Sequence, residues 1–131
     1  MKVEFFKHNI DECDIAHVNK VLKSIFLTTG QTVREFEDEF AAYLSVKHAI
    51  GVTSCTAALH LCLLAWNIGE GDEVITTPMS FCATSNAVIH AGATPVFVDV
   101  EKETGNIDAE LIESCITERT KAIMPVHLFG Q

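Results

Sequence analysis

From Lys47 onward the chain alternates short apolar runs with helical patterns, and this alternation limits the fold more than any other feature of the sequence. Apolar runs near 48–53, 73–77, 95–100 and 121–127 read as strands, and stretches near 56–67, 81–91 and 108–117 read as helices. Strands that alternate with helices are joined by right-handed crossovers, which build a mostly parallel sheet covered on both faces. The expected fold class is therefore α/β, in three layers (α/β/α) around a mostly parallel sheet. The punctuation agrees. Gly69-Glu70-Gly71-Asp72 and Ala91-Gly92-Ala93 follow helices where C-terminal turns belong, and Asn106-Ile107-Asp108 offers a cap to the last helix.

Two helices are expected ahead of this region. Asp11 to Ser24 puts Ile15, Val18, Val21 and Leu22, with Ile25 beyond, on one helical face, and Thr32 to Leu44 does the same with Val33, Phe36, Phe40, Ala41 and Leu44. Between them Leu27-Thr28-Thr29-Gly30 reads as a loop whose glycine ends the first helix and whose threonines can cap the second. No linker or repeat interrupts the chain. Residues 1–131 are read as one partial domain, with N-terminal helices at about 11–45 and a βαβ region at about 47–131. Lys121 to Leu128 reads as a central strand, and Gln131 follows three residues later with no helix to cover it. A ligand crevice in an α/β domain is assembled from several successive loops, so the sequence is expected to be a fragment holding half a site.

Composition removes several classes of function. An apolar fraction of 48% with 21% charged residues is that of a folded globular chain. Nine basic against eighteen acidic side chains give a formal charge of −9, which repels a nucleic-acid backbone. The apolar run from Ala57 to Trp66 is broken by His60 and too short to span a bilayer, and Met1 to His8 lacks the apolar core of a signal peptide. The reading is a cytoplasmic protein with neither nucleic acid nor membrane as partner. The five cysteines form no CxxC pair, so reduced thiols are expected and a metal site is set aside.

Chemistry is concentrated in Val52-Thr53-Ser54-Cys55-Thr56-Ala57-Ala58-Leu59, where a strand turns through small hydroxylated residues directly into a helix. Such a turn presents free N–H groups, hydroxyls and the positive end of a helix dipole, a set suited to an anion such as phosphate. The alternative is an ordinary Ser/Thr helix cap. A second strand-to-helix passage, Val74-Ile75-Thr76-Thr77-Pro78-Met79-Ser80-Phe81, is followed by Gly92-Ala93-Thr94-Pro95-Val96-Phe97-Val98-Asp99.

Taken in order with Leu27-Thr28-Thr29-Gly30, Gly69-Glu70-Gly71-Asp72-Glu73-Val74-Ile75, Thr117-Glu118-Arg119-Thr120-Lys121-Ala122-Ile123 and Pro125-Val126-His127-Leu128-Phe129-Gly130-Gln131, these pieces resemble the N-terminal part of the large domain of the DegT-type sugar-nucleotide aminotransferases. Those are fold-type I enzymes dependent on pyridoxal 5′-phosphate (PLP). The resemblance runs over nearly the whole chain without large gaps. It implies that Ser54, Cys55 and Thr56 grip the PLP phosphate through backbone N–H groups and the Thr56 hydroxyl, and that Phe81 stacks on the pyridine face. The alternative for Phe81 is core packing. Thr76, Thr77, Ser80 and Thr84 supply hydroxyls that suit a polar ligand edge and equally suit caps and strand ends. One departure stands out: the family usually has glycine where this chain has Cys55. The thiol is expected to lie beside the phosphate seat and to be the most readily alkylated of the five, with Cys62 buried among Leu59, Leu63 and Trp66. His127, expected to end the last strand, and Thr28 and Thr29, in a loop that can border the active site, are the substrate-side candidates. Each also has a plain structural reading.

The same resemblance says what this stretch lacks. The family's Schiff-base lysine and the aspartate that pairs with the pyridine nitrogen lie downstream of the segment matching Gln131, and none of Lys2, Lys7, Lys20, Lys23, Lys47, Lys102 or Lys121 stands in a matching motif. Asp99 ends a different strand from that aspartate. The implied whole protein is a homodimeric aminotransferase that moves an amino group, typically from glutamate, to a keto-sugar nucleotide in polysaccharide or glycan biosynthesis. A sugar dehydratase of the same family and a truncated α/β module without catalysis remain as alternatives. The 131 residues alone are expected to be silent.

Overall fold

The computed structural model describes residues 6–28 and 30–131, which separate into two compact units, one ending at Gly51 and the other beginning at Val52. In the first unit, α1 (Glu12–Leu22) starts at Asp11, whose carboxylate accepts the Cys13 and Asp14 N–H groups while Asp14 accepts that of Asp11 in return. This reciprocal cap satisfies donors that a helix start otherwise leaves open. Helix α2 (Gln31–Leu44) is entered at Gly30 and left at Ser45 in the left-handed region. Gly30 therefore opens the second helix rather than ending the first, which closes at Lys23, and among the described residues no side chain caps α2. Of the two expected apolar faces only Ala41 is buried; Val18, Leu22 and Phe36 are each more than half exposed.

The strand expected at 48–53 does not form. No strand among the described residues pairs with this segment, and a strand exists only where its N–H and C=O groups find a partner. The Gly51 N–H donates instead to Glu37 Oε1, at 2.7 Å.

The second unit holds the sheet. Helix α3 (Cys55–Ala65) leads into β1 (Glu73–Thr76), α4 (Ala83–His90) crosses to β2 (Thr94–Phe97), and α5 (Ala109–Ile112) with a 3-10 turn (Glu113–Cys115) leads to β3 (Thr120–Met124). The three strands are parallel in the order β2-β1-β3. The parallel α/β class read from the sequence is the observed one, with two corrections. β3 lies at an edge of this sheet and stops at Met124, because Pro125 has no N–H to continue the ladder. The helix expected over 108–117 shortens to α5 and its 3-10 turn.

β1 is buried at all four positions, as a central parallel strand should be. Val74 packs with Leu63 of α3, Ile68, Ala87 and Val88 of α4, and Ala93, flanked by Leu59, Ala122 and Met124. Each fully buried aliphatic side chain of this kind contributes about 1.5–3 kcal/mol before entropy is counted. Beside this core the Glu73 carboxylate is buried but receives the Thr117 hydroxyl and the Arg119 guanidinium, at the point where the β1–β3 register slips by one residue. Gly69 and Glu70, just beyond α3, lie against Ala91 and Gly92, just beyond α4. The two packed helices thus finish together at the edge where the strands begin, and each starts toward the edge where the strands end.

Candidate functional site

The entrance to α3 keeps its donors open. Ser54 is extended (φ −163°, ψ 159°), its hydroxyl accepts the Ala57 N–H at 3.1 Å, and its carbonyl accepts the Ala58 N–H at 3.1 Å. The amides of Cys55 and Thr56 and the Thr56 hydroxyl have no hydrogen-bond partner among the described residues. Ser54, Cys55 and Thr56 are all exposed, and no acidic residue stands in the first turn to compete with an anion. Two amides, a hydroxyl and the partial positive charge of an 11-residue helix form a donor set that fits a phosphate group. The Ser54 side chain itself is occupied by the cap, so its contribution to such a site falls to the backbone.

Phe81 stands in the loop between β1 and α4, two residues ahead of the helix, and is 79% exposed. Core packing, the alternative for this ring, is thereby excluded within the unit. Of the hydroxyls near it in sequence, three are spent on the fold: Thr76 donates to the Met124 carbonyl at 2.8 Å, Thr77 accepts the Met79 N–H at 3.2 Å, and Ser80 donates to the Phe81 carbonyl at 3.2 Å. These are strand-end and turn bonds, while Thr84 is buried in α4. Among the described residues no hydrogen bond or ring contact links Phe81 to the Ser54–Thr56 turn.

His127 lies three residues past the end of β3, not within it, and is exposed, with Nδ1 3.0 Å from the Gln131 carbonyl. The loops that follow all three strands meet at its neighbour Leu128. A Cβ on Gly105, after β2, would stand 2.8 Å from Leu128 Cδ2, after β3, and 3.4 Å from Met79 Sδ, after β1. This edge, where the C-terminal ends of parallel strands gather, is where α/β folds hold ligands. Asn106 is a participant that the sequence reading treated only as part of a cap signal; its side chain bonds the Leu128 amide across 22 positions. A Gly-Asn turn after a strand was the one visible hint.

In the first unit Thr28 is exposed and lines a shallow cavity of about 250 Å³ with Gly30, Val33, Arg34, Glu37 and Gly51. Thr29 lies outside the described residues. Among the cysteines, Cys13, Cys55, Cys62 and Cys82 are exposed and Cys115 is half-buried. The expected burial of Cys62 is wrong, because α3 turns Leu63 rather than Cys62 to the core. Among the described residues no three His, Cys, Asp or Glu side chains stand together as a metal site, and no helix is long and apolar enough to cross a membrane.

A parallel α/β unit with an anion-ready helix entrance defines a broad class of phosphate-binding domains. Within it the chain belongs to the DegT/DnrJ/EryC1/StrS aminotransferase family, which matches residues 8–131. It is 52% identical over 118 residues to the spore coat polysaccharide biosynthesis protein SpsC of Bacillus subtilis, a match covering 90% of this chain and 30% of SpsC. It is 53% identical over 104 residues to the GDP-perosamine synthase of Caulobacter vibrioides, covering 79% of this chain and 28% of that protein. The structure superimposes on the sugar aminotransferase candidate Spr1654 of Streptococcus pneumoniae in its PMP form with a TM-score of 0.94 at 38% identity, over 99% of this chain and 33% of that one. The chain thus spans about a third of the length of the proteins it resembles.

Proposed function

We propose that residues 1–131 are the N-terminal part of the large domain of a PLP-dependent aminotransferase that passes an amino group from an amino-acid donor to a keto-sugar nucleotide. The product is an amino sugar for cell-surface polysaccharide or another glycan, made in the cytoplasm by a homodimer. The observation that carries the reading is the open entrance of α3, whose Cys55 and Thr56 amides and Thr56 hydroxyl are free to hold the cofactor phosphate. Family membership and the likeness to a PMP-form structure support it.

When bound, PLP supplies a reactive carbonyl and an electron-withdrawing ring. The residues of this chain hold and orient it. Backbone donors and Thr56 fix the phosphate, so the ring is tethered at one end. Phe81 offers a flat apolar wall worth about 0.5–1.5 kcal/mol when stacked. His127, Thr28 and Thr29 belong to the substrate side in this reading, where His127 can donate to or accept from a sugar hydroxyl. The lysine and aspartate of the chemistry come from the remainder of the protein.

The test is an assay of the full-length protein with PLP, glutamate and a panel of keto-sugar nucleotides. Amino-sugar nucleotide and 2-oxoglutarate should form in equal amounts, and the 131-residue polypeptide should form neither. Loss of a sugar hydroxyl without glutamate consumption would assign a dehydratase instead. Absence of both PLP binding and turnover would leave an α/β module.

A further inference from the structure

The excursion after β2 reaches across the sheet edge to the segment that carries His127. Residues 98–108 leave the strand and fold back on themselves. Val100 and Ile107 form an antiparallel bridge, the Glu101 N–H donates to the Asn106 carbonyl at 2.9 Å, and the Gly105 N–H donates to the Glu101 carbonyl at 2.8 Å. The Thr104 hydroxyl donates to Glu101 Oε2 at 2.8 Å and accepts the Asn106 N–H at 3.1 Å. The turn is therefore internally braced. Its tip, Gly105, sits at φ +72° so close to Leu128 and Met79 that a Cβ there would stand 2.8 Å from the Leu128 side chain. From this braced tip Asn106 Oδ1 accepts the Leu128 N–H at 2.9 Å.

Residues 125–131 are held locally by the bonds of one 3-10 turn: the Gly130 N–H donates to the His127 carbonyl at 3.0 Å, the Gln131 N–H donates to the Leu128 carbonyl at 3.2 Å, and His127 Nδ1 lies 3.0 Å from the Gln131 carbonyl. The segment joins no ladder, and Phe129 sits in the left-handed region at φ 52°, a conformation that an aromatic residue does not select by itself. The bonds of the turn leave the Leu128 N–H, at its entry, to be held from outside by Asn106, and the Gln131 side chain adds a weaker tie, its Nε2 donating to the Thr104 carbonyl at 3.4 Å. β2 and β3 are the outer strands with β1 between them, so the Asn106 bond spans the mouth of the central strand.

We propose that Asn106 is a positioning residue: its side-chain carbonyl, fixed by the 100–107 turn, holds the Leu128 amide and thereby aims His127 at the ligand edge of the sheet. This rests on the reading of His127 as a substrate-side group. The role belongs to the acceptor oxygen, so aspartate should replace asparagine and alanine should not.

The experiment compares Asn106→Ala and Asn106→Asp in the full-length protein, by hydrogen exchange at the Leu128 amide and by steady-state kinetics with the keto-sugar nucleotide. Asn106→Ala should speed exchange on the order of tenfold and raise KM for the sugar nucleotide on the order of tenfold, with a smaller change in kcat. Asn106→Asp should restore both. Gly105→Ala, which presses on Leu128 without removing the acceptor, should move KM in the same direction. Unchanged exchange in Asn106→Ala overturns the proposal, as does an Asn106→Asp protein that behaves like Asn106→Ala, or faster exchange with unaltered KM. Should the wild-type protein transaminate nothing, the proposed function fails on its own, while the exchange arm still decides whether Asn106 holds the segment.

Discussion

Helices α1 and α3 have the same length and open in opposite ways. At α1 the Asp11 carboxylate takes the N–H groups of Cys13 and Asp14, Asp14 takes that of Asp11, and two acidic residues neutralise the first turn. At α3 a single hydroxyl takes a single N–H, no acid is present, and two amides and a threonine hydroxyl are left facing solvent. A helix start always has donors to place, and a carboxylate cap places them for about 1 kcal/mol of stability. The uncapped donors of α3 forgo that stabilisation. What they gain is the capacity to bind an anion that arrives with its own charge, which is a reason to read α1 as architecture and α3 as a site.

The contrast breaks or holds first at Thr56. In the full-length protein Thr56→Ala removes a hydroxyl that has no partner in the fold, so the melting temperature should stay within a degree or two. A hydrogen bond to a charged group is worth about 1.5–3 kcal/mol, so PLP affinity should fall roughly 10- to 100-fold. Equilibrium titration of the cofactor absorbance measures this, and an unchanged dissociation constant would reduce the α3 entrance to a partly made cap.

The two capping side chains should show the reverse pattern at smaller size. Asp11→Ala, and Ser54→Ala at the other helix, should each lower stability by about 1 kcal/mol in chemical denaturation. Neither should alter PLP binding by more than about twofold once that loss is taken into account. If Ser54→Ala weakens PLP as much as Thr56→Ala, the Ser54 hydroxyl is shared between cap and ligand, and the division drawn between the two residues is too sharp.

Where the sequence could be read, it was read through local chemistry. Val74-Ile75, bounded by Gly71-Asp72 and Thr77-Pro78, had to be a buried strand, and it is the central one. The Ser54–Thr56 turn was visible because capping residues, a small-residue turn and an apolar helix followed one another directly. Segment 48–53 carries an equally apolar pattern and forms no strand, since pairing is a property of two segments and the pattern records only one. Cys62 was misplaced for a different reason. Helix α3 is apolar on nearly every side, from Ala57 and Ala58 through Leu59, Leu61, Leu63 and Leu64, so periodicity could not tell which face turns inward. The Asn106–Leu128 bond was beyond any local reading, because its partners are joined only by the topology of the sheet.

The finest distinction between the two helix entrances is carried by their thiols. Cys13 and Cys55 both stand in a first turn and are both exposed, yet the Cys13 N–H is held by Asp11 while the Cys55 N–H is free. The resemblance places glycine at position 55 in the family. Cys55 is not among the residues with positive φ, so glycine's conformational freedom is not what the position demands. Only the bulk of the thiol beside the phosphate seat then separates the two residues, and Cys55→Gly should tighten PLP binding by no more than about threefold, roughly 0.7 kcal/mol. The sharper measurement is protection. Exposure alone does not favour Cys55, because Cys13, Cys62 and Cys82 are exposed as well. Inorganic phosphate has the anion but no ring, so mass-spectrometric mapping of iodoacetamide labelling should show phosphate slowing the reaction of Cys55 while leaving Cys13 and Cys82 unchanged. PLP should slow Cys55 and, if its ring reaches Phe81, the adjacent Cys82 also. Equal labelling of Cys13 and Cys55 with and without phosphate would mean that the two helix starts, so different in their hydrogen bonds, are alike to an anion.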